Sequence, residues 1–308
     1  MALPDRVAFM RQRDFLGVLS GVAATWPLAA RAQQTKARTI GWLSLRSADT
    51  STEKSILAAF RQGLNQTGYV EGRNLTIEFR FGDGHYDRLP ALAADLVRRQ
   101  VEVLVTGGGT NVARVAQAAT TTIPIIFGTA NDPVQEGIVK SINRPDGNTT
   151  GSYVHNTALV PKRLELLRQL VPNALLVGFL GNPNNSNTGD QVQLAQFAAR
   201  IVDVELLVLS ATTAGEIDAA FASLAQRNVD GLVMGNDQFF QVQQDQVIAL
   251  AERHRLPTIY EWPEFVRAGG LACYSADRVD VASDGSLRQP YAQRRQTGRA
   301  SGDAADQV

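Results

Sequence analysis

Val101-Glu-Val-Leu-Val-Thr-Gly-Gly-Gly-Thr-Asn111 is an apolar run that ends in three glycines and two polar residues. Short runs rich in valine and leucine are typical of strands buried inside a sheet. Apolar side chains recur at helical spacing over residues 112–119, directly after the glycines. The stretch therefore predicts a buried strand, a tight turn and a helix, which is the repeating unit of a parallel α/β sheet.

The same order of strand and helix patterns extends in both directions from this stretch, and it occurs twice. Three pairs of positions match between the two halves, namely Gly41 with Gly178, Val101 with Val229 and Pro124 with Pro257. We therefore expect an α/β protein with two Rossmann-like lobes, each built on a parallel sheet. The expected bounds are residues 35–153 for the first lobe, completed by residues 274–281, and residues 154–273 for the second lobe.

Residues 1–34 have the layout of a signal peptide. Arg11 and Arg13 precede a short apolar stretch at 15–24, and the small-residue site Ala30-Arg31-Ala32 follows. This order of basic, apolar and small residues is that of a cleavable export signal. The pattern predicts a periplasmic protein, with a Tat-like or a Sec route left open because Gln12 separates the two arginines. Translation could start at Met1 or Met10.

Composition excludes several classes of function. Thirty basic residues balance thirty acidic ones, so no excess positive charge is present for a nucleic-acid partner. One cysteine and three scattered histidines indicate neither a disulfide framework nor a metal site. The glycines at 107–109 match no nucleotide-binding pattern, and no nucleophile lies next to a base. We expect no catalytic residues, no cofactor and no enzyme activity.

Ligands of open parallel sheets lie beyond the carboxyl ends of the strands. The loops expected there are rich in residues that offer hydrogen bonds, although the same residue types also cap helices. Nearby tyrosines, together with Trp262, could stack on an apolar part of a ligand. The candidate ligand-binding residues are Ser44, Ser47, Gly109, Thr110, Thr129, Ala130, Tyr153, Asn182, Asn184, Asn236, Asp237, Tyr260, Glu261 and Tyr274.

Several longer motifs resemble one family. They are Trp26-Pro-Leu-Ala-Ala-Arg-Ala-Gln-Gln, Phe60-Arg-Gln-Gly-Leu, Gly68-Tyr-Val-Glu-Gly-Arg-Asn-Leu, Ala118-Ala-Thr-Thr-Thr-Ile-Pro-Ile, Asp132-Pro-Val and Asn143-Arg-Pro-Asp-Gly-Asn-Thr-Thr-Gly. The chain resembles the ABC transporter substrate-binding proteins, the group that includes tryptophan- and tyrosine-binding proteins. The resemblance implies a type I periplasmic-binding-protein architecture, a small-molecule ligand such as an amino acid held between the lobes, a monomer, and a permease partner in the inner membrane.

The resemblance stops near Asp280. Residues 282–308 are polar and have neither helical nor strand periodicity, where the family would continue with a helix and a final strand. Codons for residues 287–293 can be chosen that read Tyr-Val-Ser-Arg-Met-Leu one base downstream, and residues 296–307 likewise permit a family-like ending. We therefore expect a reading-frame shift near residues 279–282, an aberrant disordered tail and impaired activity.

The residues alone leave three functions open. A cleft between two similar lobes, export and the lack of a catalytic set favour the solute-binding component of an ABC importer. An exported enzyme of Rossmann-like architecture would need a nucleophile or an acid–base pair at the loop ends. A ligand-sensing domain for a membrane partner would share the cleft, and fold alone does not decide between these functions.

Overall fold

The computed structural model describes residues 37–145, 147–276 and 279–281. The predicted signal peptide and the polar tail therefore lie outside the described residues. Within the described ranges no helix is long and apolar enough to cross a membrane.

The first lobe is a sheet of five parallel strands in the order β2-β1-β3-β4-β5. A 3₁₀ turn at Tyr86–Arg88 lies between β2 and α2. The elements of this lobe are β1 (Arg38–Ser44), α1 (Ser51–Gln66), β2 (Leu75–Phe81), α2 (Leu89–Arg98), β3 (Val103–Gly107), α3 (Gly109–Ala119), β4 (Ile125–Thr129) and β5 (Thr149–Tyr153).

The second lobe contains five parallel strands and one short antiparallel strand, in the order β11-β10-β9-β8-β6-β7. The chain enters it from β5 through residues 154–159. Its elements are α4 (Val160–Leu170), β6 (Leu176–Gly181), α5 (Thr188–Ile201), β7 (Glu205–Ser210), α6 (Ala214–Gln226), β8 (Gly231–Met234), α7 (Gln238–Val242), α8 (Gln244–Arg253), β9 (Thr258–Tyr260), α9 (Pro263–Arg267), β10 (Ala272–Tyr274) and β11 (Val279–Val281).

The two lobes repeat one geometry, as the matched positions predict. Gly41 and Gly178 allow a helix to pack closely on the first strand of each lobe, since a Cβ on Gly178 would lie 2.5 Å from Leu224 of α6. The third strand of each lobe also makes the same hydrogen bond near its start. The Leu104 amide donates to the Pro124 carbonyl, and the Leu232 amide donates to the Pro257 carbonyl, both at 2.8 Å. The predicted α/β architecture of two parallel-sheet lobes is confirmed.

The end of the second lobe differs from the sequence-based expectation. Residues 274–281 were expected to return to the first lobe and complete it. Instead β11 (Val279–Val281) folds back on β10 (Ala272–Tyr274) as an antiparallel strand of the second sheet. This pairing satisfies backbone groups at the sheet edge, which would otherwise be left to solvent. Among the described residues, the segment 154–159 is therefore the one covalent link between the lobes.

The link is held on both sides by polar contacts. The Asn156 amide donates to the Ala130 carbonyl of the first lobe at 3.1 Å. Arg163 of α4, which is fully buried, donates from Nη2 to Asn156 Oδ1 at 2.6 Å and from Nε to the Tyr274 carbonyl at 2.9 Å. Burial lowers the pKa of Arg163 to about 10, and the nearby Glu261 carboxyl opposes that shift. The guanidinium thus joins the link to β10 of the second lobe.

Candidate functional site

The carboxyl ends of the strands in the two lobes face each other across a cleft. A cavity of about 480 Å³ lies there and takes walls from both lobes. From the first lobe it is lined by Trp42, Arg46, Ile56, Phe60, Tyr86, Val105, Thr106, Gly107, Gly108, Gly109, Thr110, Asn111, Ile126, Phe127, Gly128, Thr129, Ala130, Ser152, Tyr153 and Val154; from the second, by Asn185, Asn187, Asn236, Asp237, Gln238 and Trp262.

The glycine turn after β3 brings the backbone of α3 to the cleft. Gly109 has a φ of +77°, a left-handed conformation that glycine adopts without strain. A Cβ on Gly108 would lie 2.4 Å from Val112 Cγ2 and 2.9 Å from Gln238 Oε1, so a larger residue there would have to displace these side chains. The first amides of an α-helix have no partner within the helix. The turn therefore presents a helix N-terminus, which suits an anionic group of a ligand.

Asp237 lies at the second-lobe wall of the cleft and is bonded from both lobes. Tyr86 of the first lobe donates its hydroxyl to Asp237 Oδ2 at 2.7 Å. The Phe239 amide and Asn182 Nδ2 donate to Asp237 Oδ1 at 2.7 and 3.3 Å. Burial raises the pKa of Asp237, and the Tyr86 hydroxyl opposes that rise. Burial, together with the Asp237 charge, likewise raises the pKa of Tyr86. This network joins the lobes at the edge of the cavity.

A second network across the lobes is centred on Arg46, in the loop after β1. Its Nε donates to Gln241 Oε1 of the second lobe at 2.6 Å, and its Nη1 lies 3.6 Å from Glu53 Oε2. Trp42 Nε1 donates to the other carboxylate oxygen of Glu53 at 2.7 Å. Burial lowers the pKa of Arg46 and raises that of Glu53, while their mutual attraction opposes both shifts. Arg46 thus supplies a buried cation beside the cavity.

One wall of the cavity is apolar. The rings of Trp42 and Phe60 lie 5.0 Å apart, and Ile56 and Ile126 continue the same surface. Trp262 stands on the second-lobe side of the cavity. Apolar walls with a few convergent polar groups are typical of sites for small organic molecules. The cavity therefore suits a ligand with one polar end and one apolar or aromatic end.

The structure brings half of the predicted ligand-binding residues to this cavity. The residues that line it are Gly109, Thr110, Thr129, Ala130, Tyr153, Asn236 and Asp237. The hydroxyls of Thr110 and Thr129 lie 2.9 Å apart, which ties the loops after β3 and β4 together.

The other predicted residues lie behind the cavity wall or beside it. Ser44 is buried and accepts the Arg46 amide at 3.2 Å, and the Ser47 carbonyl accepts the Thr50 amide in the turn before α1. Asn182 supports Asp237, while the Asn184 carbonyl accepts Asn111 Nδ2 from the other lobe at 2.6 Å.

The three remaining predicted residues, at or directly after the ends of β9 and β10, make other contacts. Tyr260 is buried and stacks on Phe265, with ring centroids 4.6 Å apart. Glu261 is fully buried, and burial raises the pKa of its carboxyl to about 8. Tyr274 uses its carbonyl to bind Arg163. None of the three lines the cavity.

Sequence reasoning missed several residues that line the cavity, chiefly Arg46, Trp42, Phe60 and Tyr86. Trp42 and Phe60 fit the apolar periods of a strand and a helix and are indistinguishable from core residues in the sequence. Arg46 could have been predicted from its position in the loop after the first strand, because that loop was already expected to reach the cleft.

A larger but more polar hollow of about 790 Å³ lies beside the link, between α3 and α5. Its charged side chains include the ion pair between the exposed Arg114 and the mostly buried Glu136, and it shares only Ala130 with the cleft cavity. We place the site in the smaller cavity because the carboxyl-end loops of both sheets converge there. In the part of the chain that the structure describes, no group of three or more His, Cys, Asp or Glu side chains could hold a metal ion.

Comparison with known proteins gives one family. Residues 49–286 match the family model described as ABC transporter substrate binding protein. A curated relative, the tyrosine-binding protein of Clostridioides difficile, is 29% identical over 218 residues, which are 71% of this chain. The match spans 62% of that relative's length.

Two solved structures resemble this fold. The conserved domain protein of Vibrio cholerae has a TM-score of 0.69 and 24% identity, with 78% of this chain and 79% of that chain covered. The ABC domain of Streptococcus pneumoniae in complex with L-Trp has a TM-score of 0.69 and 21% identity, with 87% of this chain and 86% of that chain covered. At these identities the likeness concerns the fold.

Proposed function

Because this chain belongs to the ABC transporter substrate-binding protein family, we propose that it captures a small molecule between its lobes and delivers it to an importer. The delivery step needs a permease in the inner membrane and places the protein in the periplasm. The export pattern of residues 1–34 supports that location.

One observation carries the proposal, namely that the cavity takes its walls from both lobes. A ligand held there contacts the loops after β3 and β4 on one side and residues 236–238 on the other. Such a ligand favours the conformation in which both walls meet, since binding shifts a conformational equilibrium by its differential affinity. A transporter can then distinguish the loaded protein by the relative position of its lobes.

The chemistry of the cavity supports an aromatic amino acid as the ligand. The amides at the start of α3 and the Arg46 guanidinium would receive a carboxylate, and Asp237 would receive an ammonium group. Trp42 and Phe60 offer an apolar wall for the side chain. The relatives agree with this class, since one is called a tyrosine-binding protein and another was solved with L-Trp.

Thermal unfolding of the purified chain tests this class of ligand. We expect L-tyrosine, L-tryptophan or L-phenylalanine to raise the midpoint, whereas glycine and L-lysine leave it unchanged. At a ligand concentration of about 100 times Kd the stabilisation is about 2.7 kcal/mol. For a protein of this size that corresponds to a rise of about 5 to 10 °C.

A matched pair of variants tests the place of binding. Tyr86→Phe removes the hydroxyl that orients Asp237 and should weaken ligand binding about tenfold, as expected for a hydrogen bond to a charged group. Tyr69→Phe changes an exposed tyrosine away from the cleft and should leave Kd unchanged. If no aromatic amino acid raises the midpoint, the proposed ligand class is wrong, and an unchanged Kd for Tyr86→Phe would place binding elsewhere.

A further inference from the structure

Glu53 is a buried carboxylate that lies behind the cavity wall. It occupies the third position of α1, after Thr50, whose side chain caps the helix and accepts the Glu53 amide at 3.3 Å. A glutamate at this position commonly completes a capping box by accepting the amide of the capping residue. Here the Thr50 amide donates to the Ser47 carbonyl at 3.2 Å instead, and Glu53 is 0% exposed. The carboxylate is therefore not used to cap the helix.

Helix α6 shows the ordinary use of the same sequence pattern. Thr213 caps this helix and Glu216 follows three residues later, as Glu53 follows Thr50. Glu216 is exposed, and its carboxylate accepts the Thr212 amide at 2.6 Å and the Thr212 hydroxyl at 2.8 Å. Of two glutamates at the same helix position, one thus binds the backbone at the helix start, and the other is turned into the protein.

The Glu53 carboxylate joins two residues that line the cavity. Trp42 Nε1 donates to Oε1 at 2.7 Å, and Arg46 Nη1 lies 3.6 Å from Oε2. Burial raises the pKa of Glu53, while the Arg46 charge and the Trp42 indole oppose that rise and favour the ionised carboxylate. Arg46, itself 5% exposed, therefore has its counter-ion inside the protein before any ligand enters.

Asp237 has no counter-ion of this kind. Of the described residues that line the cavity, only Arg46 and Asp237 carry a full charge at neutral pH. The donors to Asp237 are a tyrosine hydroxyl, a backbone amide and a side-chain amide, all of them neutral, and they favour its ionised form. Once Glu53 is counted against Arg46, the negative charge of Asp237 is left without a balancing cation at the cavity.

This balance of charge decides which ligands the cavity can take. A ligand ammonium gains the attraction of Asp237, whose charge is otherwise buried without a cation. A ligand carboxylate gains less from Arg46, since Glu53 already neutralises that guanidinium and repels a second anion beside it. The amides at the start of α3 can still hold the carboxylate of a zwitterion. A ligand with a carboxylate and no ammonium would leave two buried negative charges, its own and that of Asp237, without a cation.

We propose that Glu53 is a specificity-determining residue that acts through Arg46 and excludes aromatic carboxylates that lack an amine. This role of Glu53 rests on the proposed function, because it concerns ligands of the same cavity. The ammonium is then the group that a ligand cannot lose, and the carboxylate is the group that it can. The substrate class narrows to aromatic amines and to aromatic amino acids without net negative charge.

Three ligands that share a phenyl ring test this role in calorimetry. L-phenylalanine is a zwitterion, phenethylamine lacks the carboxylate, and phenylpropionate lacks the ammonium. With the unaltered chain we expect phenethylamine to bind within about tenfold of L-phenylalanine, because it loses hydrogen bonds to neutral amides. We expect phenylpropionate to bind at least about a hundredfold more weakly than L-phenylalanine, because it leaves the buried Asp237 charge unpaired.

Glu53→Gln removes the charge but keeps the shape and an oxygen that can accept the Trp42 indole. Arg46 then lacks its counter-ion, so phenylpropionate should bind about tenfold more tightly and phenethylamine about tenfold more weakly than to the unaltered chain. The ratio of these two dissociation constants should thus change about a hundredfold. A general loosening of the site would weaken both ligands and leave the ratio unchanged. With Arg46→Gln added, the gain for phenylpropionate should disappear.

Glu216→Gln is the matched control, since it removes a glutamate from the same position of a helix outside the cavity, and it should leave the ratio unchanged. An unchanged ratio for Glu53→Gln would overturn the proposal, as would binding of phenylpropionate to the unaltered chain as tightly as phenethylamine. The second comparison needs no variant and decides even if Glu53→Gln does not fold. If none of the three ligands binds, the proposed function is wrong and this role of Glu53 falls with it. Binding of L-phenylalanine with the expected ratios absent refutes the role of Glu53 alone.

Discussion

Arg163→Ala should destabilise the protein far more than a typical surface substitution. The guanidinium is fully buried and donates to two carbonyl oxygens and one amide oxygen, those of Asn156 and Tyr274. Removing it leaves these acceptors buried without their donor and leaves Glu261 without the cation that opposes its rise in pKa. A buried acceptor left without its donor costs about 1 to 3 kcal/mol, so the loss over these three acceptors should reach about 3 kcal/mol or more.

Urea unfolding followed by circular dichroism measures this loss. Lys162→Ala is a suitable control, because Lys162 lies next to Arg163 on α4 but makes a partly exposed pair with Glu165. Such pairs contribute about 1 kcal/mol or less. We expect the Arg163 variant to lose at least three times as much stability as the control.

The result that would refute this reasoning is a loss below about 1 kcal/mol for Arg163→Ala, the range of ordinary surface changes. Such a loss would mean that water or a shifted side chain replaces the guanidinium at low cost. A functional measurement adds a second readout. Since Asn156 also binds the Ala130 carbonyl of the first lobe, the variant should loosen the link and weaken ligand binding as well.

Two further predictions concern a titrating group and a glycine. Burial raises the pKa of Glu261 to about 8 from an ordinary value of 4.5, with Arg163 opposing the rise, so the folded protein binds this proton more tightly than the unfolded chain. The stabilisation that this bound proton gives the folded protein is fully present below about pH 4.5 and is lost as the pH rises through about 8. Urea midpoints should therefore fall over that pH range, and Glu261→Gln should flatten the fall. An equal slope in the variant would contradict this account. Gly108→Ala places a Cβ 2.4 Å from Val112, and such overpacking costs about 1 to 3 kcal/mol. It should also weaken ligand binding in calorimetry, whereas Gly63→Ala, with open space around it, should not.

The order of strands and helices could be predicted because it depends on local patterns. The run from Val101 to Asn111 combines a buried strand with glycines that a close turn requires, and both properties are visible in the sequence. The polar loops after β3, β4 and β8 could also be placed, because parallel strands end at one edge of their sheet. Thr110 and Asp237 reach the cavity for that reason.

The rest of the site depends on contacts that are distant in the sequence. Arg46 is held by Gln241, which lies 195 residues away, and a loop arginine is usually solvated. Tyr260 and Glu261 lie at the end of β9 in the expected way, but Tyr260 packs on Phe265 of α9, and Trp262 is the residue of this segment that reaches the cavity. Burial of this kind results from tertiary packing, for which the sequence has no local signal.

Because the link leaves the first sheet at one edge, residues on distant strands move farther than residues near the link when the lobes rotate about it. Tyr86 follows β2, four strands from β5, whereas Thr129 ends β4, the neighbour of β5. At the usual strand spacing, a rotation of about 10° about the link moves Tyr86 by about 3 Å and Thr129 by less than about 1 Å. The hydrogen bond from Tyr86 to Asp237 therefore forms only when the two lobes are fully closed. A ligand slightly too large for the cavity would keep this bond broken while its contacts near β4 remain intact.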